Sequence, residues 1–466
     1  MKKATRFMAL VCAGMMSCMS IAGCGGTKDS GKTNDSGTDT QQESQAPAGE
    51  SEEEASADSD GSDKDISGNI RYFTWTEEQV DGINKSIEAF NKEYPNIKVD
   101  LQTAPWDQYW SKVQTEIAGG TCADVFMNQT WWFKVLQESG AAEPLTPLIE
   151  RDNYSMEGHN QRVIDIYTED DTLYAMPQDW DCECIVYNKD LFDKYGVEYP
   201  DESLTWNPTD GGSFLELAQK MTIDKNGKNI TEEGFDADNI VSYGFLVQNS
   251  NNACYWNFIA MNGGDVDKYD DPKTEEALQF LHDLMFKYKV APQLASVQSM
   301  GADTMFASGN VAMYTTGNWV LSTLGKTCNF DWQTTLLPEG PEGRHTLVNG
   351  IGQSVYSGSK NKEAAWTFVK WLGSDKHEEI MGNTGTVFPS RESYWDNYIE
   401  YWSGQGVDVS PFRKMFDVAT VYTAPMVDHW NEKNAAITKN IDLLFMDKID
   451  AQEMGDAIAA EYAKYE

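Results

Sequence analysis

The chain has 466 residues with 74 acidic and 36 basic side chains, a formal charge of −38 near neutrality. Nucleic acid and anionic membrane surfaces are excluded as partners by that field, because phosphate-rich ligands need positive charge to meet them. The length exceeds what one hydrophobic core normally supports, so two lobes are expected.

In chain order, Lys2, Lys3 and Arg6 precede an apolar run from Phe7 to Ala22, closed by Gly23, Cys24, Gly25 and Gly26. This is the layout of an export signal over residues 1–23. The run falls short of the roughly 20 residues that a membrane-crossing helix needs. Ile21-Ala22-Gly23-Cys24 resembles the lipobox of bacterial lipoproteins, with Ile21 where Leu is usual. That resemblance implies cleavage before Cys24, a diacylglycerol on its thiol, and a protein anchored to the outer face of the bacterial cell membrane. Loss of the three basic residues Lys2, Lys3 and Arg6 moves the charge from −38 to −41.

From Cys24 to Gly68 the residues are mainly Ser, Thr, Gly, Gln, Asp and Glu, with no aromatic and an acidic run at Glu52-Glu53-Glu54. Such a segment buries too little apolar surface to offset its ordering entropy, and 24–68 is read as a disordered acidic tether.

Ile70 to Thr74 reads as a strand, and Ile83, Ile87, Phe90 and Tyr94 recur at helical spacing before Pro95. Ile97, Val99 and Leu101 alternate as a second strand. Trp110, Val113 and Ile117 mark a second helix ended by Gly119-Gly120, and Asp124 to Met127 is a third strand. Alternation of period 2 and period 3.6 in this order implies a parallel α/β sheet with right-handed crossovers.

In such sheets ligands bind beyond the carboxyl ends of the strands. Trp75 follows the first strand, Trp106 and Asp107 the second, and Asn128, Gln129, Trp131 and Trp132 the third. Indole faces stack on the C–H faces of sugars, and amides and carboxylates pair with hydroxyls, so the mixture points to a carbohydrate.

After Cys24, five cysteines remain, namely Cys122, Cys182, Cys184, Cys254 and Cys328, an odd number that leaves at least one thiol free. Cys182 and Cys184 fall on one face of an extended segment and are read as small buried residues. The five histidines are scattered, and neither Cys-x-x-Cys nor His-Glu-x-x-His occurs. No metal and no cofactor is expected. Asp224-Lys225-Asn226-Gly227 has its glycine too early for a calcium loop and no Glu at the twelfth position, so a hairpin turn is expected.

Four further stretches carry a family resemblance. Phe90-Asn91-Lys92-Glu93-Tyr94-Pro95 stands before a strand, and Leu173-Tyr174-Ala175-Met176-Pro177 is followed by Val186-Tyr187-Asn188-Lys189-Asp190-Leu191-Phe192. Phe306-Ala307-Ser308-Gly309-Asn310-Val311-Ala312-Met313 leads to Gly317-Asn318-Trp319, and Lys362 to Trp366 leads to Phe368 to Leu372. Together they resemble the extracellular solute-binding protein family of ABC sugar importers, the group that includes maltose- and oligosaccharide-binding proteins. The resemblance implies a two-lobe periplasmic-binding-protein-like α/β fold, with the ligand cleft between the lobes and a multi-strand hinge. It implies lobe 1 at 69–178 with 318–374 and lobe 2 at 179–317 with 375–466, with crossings near 177–185, 314–320 and 373–388.

Carried over by position, the family's polar contact upstream of the Tyr-Asn-Lys motif corresponds to Asp181, with Asp179 and Trp180 beside it. Trp319 resembles the stacking tryptophan of the second lobe, and Trp256 a further aromatic position. Asn128 and Trp131 fall where first-lobe contacts occur, with Trp131-Trp132 in place of the acidic–basic pair of some maltose binders. Asn349, Gly350 and Arg391 come from loops beside the cleft, Arg391 equally as an interlobe ion pair. The implied function is capture of a carbohydrate, an oligosaccharide by its aromatic supply, and delivery by a monomer to permease subunits of an ABC importer, without catalysis. The alternatives are a lipid-anchored glycan-processing enzyme, since carboxylates beside aromatics also describe a sugar-cleaving site, and a binding protein for a non-sugar polar solute.

Overall fold

The structure is a computed structural model that describes residues 63–75 and 79–465, apart from the side chain of Asp107. The export signal, Cys24 and the tether up to residue 62 lie outside the described residues. The expected tether runs too far: Asp63–Asp65 is a turn of 3-10 helix, and Asn96 Nδ2 donates to the Lys64 carbonyl. The first strand then starts at Gly68, whose N–H is taken by the Asn96 carbonyl.

The elements that position the site are β1 (Gly68–Thr74), α1 (Val80–Glu93), β2 (Ile97–Thr103), α2 (Trp106–Ala118), β3 (Val125–Gln129) and α3 (Thr130–Glu138). They are followed by β4 (Met176–Pro177), β5 (Glu183–Asn188), α4 (Trp256–Met261), β6 (Met313–Gly317), β7 (Trp332–Thr335), β8 (Ile351–Val355), α5 (Lys362–Leu372), α6 (Asp375–Asn383) and α7 (Trp430–Phe445). β1 lies parallel between β2 and β3, in the register Ile70↔Val99 and Tyr72↔Val125. β8 adds antiparallel to β3, and β4 closes that sheet. A second sheet is antiparallel, with β5 flanked by β6 and β7.

Each sheet has its own core. Around the first, Ile83, Ile87 and Phe90 of α1 meet Trp366, Phe368 and Trp371 of α5. α1 forms because its apolar residues share one stripe, and it ends where Pro95 forbids continuation. Around the second sheet, Ile185, Val186, Met313 and Tyr314 pack with the α4 residues Phe258 and Ile259. The Asp224 to Gly227 turn is present, with Gly227 at φ 81° and Ile223 bridged to Asn229. The five cysteines Cys122, Cys182, Cys184, Cys254 and Cys328 are free thiols. Among the described residues no helix is long and apolar enough to cross a membrane.

The lobe boundaries differ from those expected. β6 runs against β5 from Met313↔Tyr187 to Gly317↔Glu183, and β7 pairs on its other side. Residues 318–347 therefore stay with the second sheet, and 314–320 is not a crossing: a strand bonded along its length to β5 cannot also pass to the other lobe. Conversely, α6 packs on α1, with His377 Nδ1 2.7 Å from Ser86 Oγ, so 375–383 belongs with the first sheet. The chain crosses at 178–181, 349–351 and 388–390. There the Asp181 and Asn349 backbones exchange N–H···O bonds, and Gln178 and Trp180 pair with Ser390 and Phe388.

Candidate functional site

A cleft of about 940 Å³ lies between the lobes, over these crossings. Seven tryptophans line it: Trp75, Trp106, Trp110, Trp131, Trp132, Trp319 and Trp430. The first lobe supplies a continuous wall. Trp106, Trp110 and Gln114 recur every four residues along α2, so one face of that helix looks into the cleft. Trp110 stacks on Trp132 at 4.8 Å, Trp75 meets Trp106 at 5.2 Å, and Trp106 meets Trp131 at 6.4 Å.

The facing wall is built of amides and hydroxyls. The run Gln248-Asn249-Ser250-Asn251-Asn252 lines it, held to α7 by Asn249 Nδ2, which donates to the Thr438 carbonyl and to Asp442 Oδ1. Asn431, Asn434 and Thr438 occupy one face of α7 at spacings of three and four. Trp430 at the start of α7 reaches across to Trp131, ring centres 6.4 Å apart, so the two lobes touch through indoles.

Trp319 rests against the backbone of Gly317: a Cβ there would lie 1.7 Å from its ring. Asn318 also lines the cleft and clamps the crossing segment, its Oδ1 accepting the Cys182 N–H at 3.1 Å and its Nδ2 donating to the Trp180 carbonyl at 3.4 Å.

At the floor stand Gln129, Asp179, Asp181 and Asn349. Asp179 Oδ1 accepts the Ile351 N–H at 2.7 Å. Burial, and then the charge of Asp181, push the Asp179 carboxyl well above its usual range, against the opposing pull of the Ile351 N–H and Gln178. Burial pushes Asp181 up to about 7, opposed by the nearby Asn349 amide. Gln129 Oε1, Asp181 Oδ1 and both side-chain heteroatoms of Asn349 are buried and make no hydrogen bond of good geometry within the chain. Buried polar atoms normally have partners, so these four leave hydrogen-bonding capacity open at the cleft floor. Among the described residues lining the cleft there is no Lys, Arg or His.

Of the positions singled out from sequence, the structure brings Trp75, Trp106, Gln129, Trp131, Asp179, Asp181, Trp319 and Asn349 to the cleft. The side chain of Asp107 lies outside the described residues. Five others sit elsewhere. Asn128 is fully buried in β3, its Oδ1 accepting the Gln129 N–H and its Nδ2 donating to Ser354 Oγ. Trp180 points away from its acidic neighbours, as alternation along an extended segment requires, and packs on Phe388, Trp395 and Phe416. Trp256 lies behind Trp131, its Nε1 donating to Tyr269 Oη at 2.9 Å. Gly350 is a close-approach position, where a Cβ would stand 2.8 Å from the Asp179 carbonyl. Arg391 donates to the Gly373 and Glu157 carbonyls and pairs with Asp375 at 3.4 Å, which makes it a structural brace.

The residues that sequence reasoning missed are Trp110, Trp430, Asn318 and the amide wall, while Trp132, noted after the third strand, also lines the cleft. The run of five amide and hydroxyl residues at 248–252 and the Asn431, Asn434, Thr438 spacing are the signals that could have found the second-lobe wall.

Comparisons with known proteins agree with this architecture. The chain is 24% identical over 354 residues to an arabinooligosaccharide-binding protein of Halalkalibacterium halodurans, which spans 72% of this chain and 74% of that protein. Among solved structures it resembles an ABC substrate-binding protein of Listeria monocytogenes in complex with cycloalternan, with TM-score 0.75, 24% identity and coverage of 86% of this chain and 99% of that one. It also resembles M. tuberculosis UspC, with TM-score 0.69, 27% identity and coverage of 85% and 100%. The sequence profile of the bacterial extracellular solute-binding proteins matches residues 75–379, nearly two thirds of the chain, and the protein belongs to that family.

Proposed function

We propose that the protein captures an oligosaccharide in the interlobe cleft, closes on it, and presents the closed form to the permease of an ABC importer. The observation that carries this reading is the cleft itself: five tryptophans of the first lobe face an amide wall flanked by Trp319 and Trp430, with no Lys, Arg or His among the described lining residues. Apolar faces with a few oriented polar groups are what a sugar ring requires, and the volume near the upper end of ordinary ligand sites suits more than one ring. The names of the Halalkalibacterium and Listeria relatives, with their arabinooligosaccharide and cycloalternan, support the same ligand class.

Closure follows from geometry. A sugar stacked on the first-lobe indoles and hydrogen-bonded to Asn249, Asn431 and Asn434 of the second lobe binds the closed arrangement better than the open one, and so shifts the population towards it. Bending is confined to three short crossing segments, which leaves both cores intact. The acid pair Asp179 and Asp181 comes from one side of a single extended segment and is held by crossing-strand hydrogen bonds, which suits anchoring hydroxyls rather than flanking a scissile bond.

The test is a thermal-shift screen of the full-length protein against neutral oligosaccharides, monosaccharides, polyols, amino acids and polyamines, because a ligand that binds only the folded state raises the melting temperature. A selective shift with one glycan, recovered intact, supports binding without turnover; a cleaved glycan establishes an enzyme, and a response to a non-sugar solute alone overturns the ligand class. The anchor is proposed to be a lipid on Cys24, with the protein a monomer at the outer face of the membrane. Cys24→Ser is expected to leave the melting temperature unchanged and release the protein from the membrane fraction; retention there overturns the lipid anchor.

A further inference from the structure

We propose that Asp181 makes this cleft refuse acidic glycans, so that the cargo is an uncharged sugar presenting neighbouring free hydroxyls to the floor. The inference rests on the carbohydrate reading of the cleft and extends it to the charge of the cargo.

The argument is a count of donors and acceptors. The buried floor atoms without a partner are the oxygens Gln129 Oε1, Asp181 Oδ1 and Asn349 Oδ1, against one N–H donor group, Asn349 Nδ2. Asn349 and Gln129 are buried, at 1% and 7% exposure, so apart from the Asn349 amide beside Asp181 these atoms have only a ligand to meet. A sugar hydroxyl is one rotatable donor with acceptor capacity to spare, and two adjacent hydroxyls satisfy such a floor. A uronate carboxylate or a sulfate ester brings acceptors only, and would set oxygen against oxygen.

Charge acts in the same direction. Among the described residues the carboxyl groups lining the cleft are those of Asp179, Asp181 and Asp303, and no Lys, Arg or His there offsets them. Burial keeps Asp179 protonated and lets Asp181 ionise from about pH 7 upward, so above that pH a ligand anion at the floor meets the Asp181 charge in a water-poor site, where repulsion is stronger than in bulk solvent. Asp181 rather than Asp179 is assigned the role because Asp179 already spends Oδ1 on the Ile351 N–H, whereas the Asp181 carboxyl has only the nearby Asn349 amide beside it and takes no backbone N–H. Its neighbour Asn349 shows that an amide fits at this depth, so the carboxylate is not needed to fill space.

The experiment uses titration calorimetry on the full-length protein with maltotriose, arabinotriose and galactotriose. Whichever binds is compared with the same trisaccharide oxidised at its primary hydroxyls to the uronate form. Wild type is expected to bind the neutral probe at least tenfold more tightly than the oxidised one. Asp181→Asn is expected to narrow that gap by at least tenfold by gaining affinity for the oxidised probe, a gain that a merely damaged site does not give. Asp181→Glu, which keeps the charge, is expected to keep the refusal. Equal binding of both probes by wild type overturns the proposal without any variant. A gap that persists unchanged in Asp181→Asn removes Asp181 from the role. If none of the three neutral probes binds and a non-sugar solute does, the carbohydrate reading falls, and this inference with it.

Discussion

The missing side chain of Gly317 decides where Trp319 sits. Its backbone, at φ −94°, is open to any residue, but the indole of Trp319 occupies the space that a Cβ would take. Gly317→Ala is therefore expected to fold and to push Trp319 out of place, weakening sugar binding about as much as Trp319→Ala does. For Trp319→Ala the expected loss is roughly 1 to 3 kcal/mol, the scale of a buried aromatic contact. Calorimetry on the two variants checks both, and unchanged affinity in either removes that residue from the site. Trp75, Trp106 and Trp131 were legible in sequence because each follows a strand and so falls at the sheet's ligand edge. Trp110 was not: its spacing with Val113 and Ile117 marks it as core, and it does both jobs, 5% exposed yet lining the cleft. Trp180 and Trp256 erred in the opposite sense, because proximity in sequence to a site does not tell which way an indole turns.

The elements that matter most for motion are the crossing segments, and Asn318 ties one of them down. Replacing it by Ala leaves the Cys182 N–H buried without its acceptor, a cost of about 1 to 3 kcal/mol. Asn318→Ala is expected to lower the denaturant midpoint with an unchanged m-value, and an unaltered midpoint would show that the clamp is idle. The first sheet could be read from sequence because its strands and helices alternate with clean periods and pair with near neighbours. The second could not, since β5 is buried at every position, giving no alternation, and its partners β6 and β7 lie more than a hundred residues away. That long-range pairing is why residues 318–347 were expected in the wrong lobe. The second-lobe wall was lost for a related reason: polar runs such as 248–252 read as loops until a facing surface gives them a purpose.

Across the whole molecule, buried acids and buried histidines pull stability in opposite directions with pH. Burial raises the carboxyls of Asp179, Asp181, Glu183 and Glu378, so each stabilises the fold below its unfolded value and loses that contribution as pH climbs through its folded one. Burial lowers His159 and His377 to about 3, and their contribution is lost only as pH falls below the ordinary histidine value. Above about pH 6.5 His159 and His377 drop out, and the groups still titrating include the buried acids and, towards pH 8.5, the buried thiols, which burial also raises and which act in the same direction. The melting temperature is therefore expected to fall between about pH 6.5 and about pH 8.5, with a shallower fall in Asp181→Asn because that group titrates within the window. A flat profile in a series of matched buffers contradicts the assignment.

The contact between Trp131 and Trp430 has a consequence for anyone who wants to watch this protein work. One ring rides on each lobe, 6.4 Å apart, and Trp430 is only 2% exposed. Parting the lobes hands both rings to water and separates two chromophores near enough to couple, so ultraviolet emission and near-ultraviolet dichroism report the opening angle directly. The chain carries its own optical gauge, and no dye need be attached to read it.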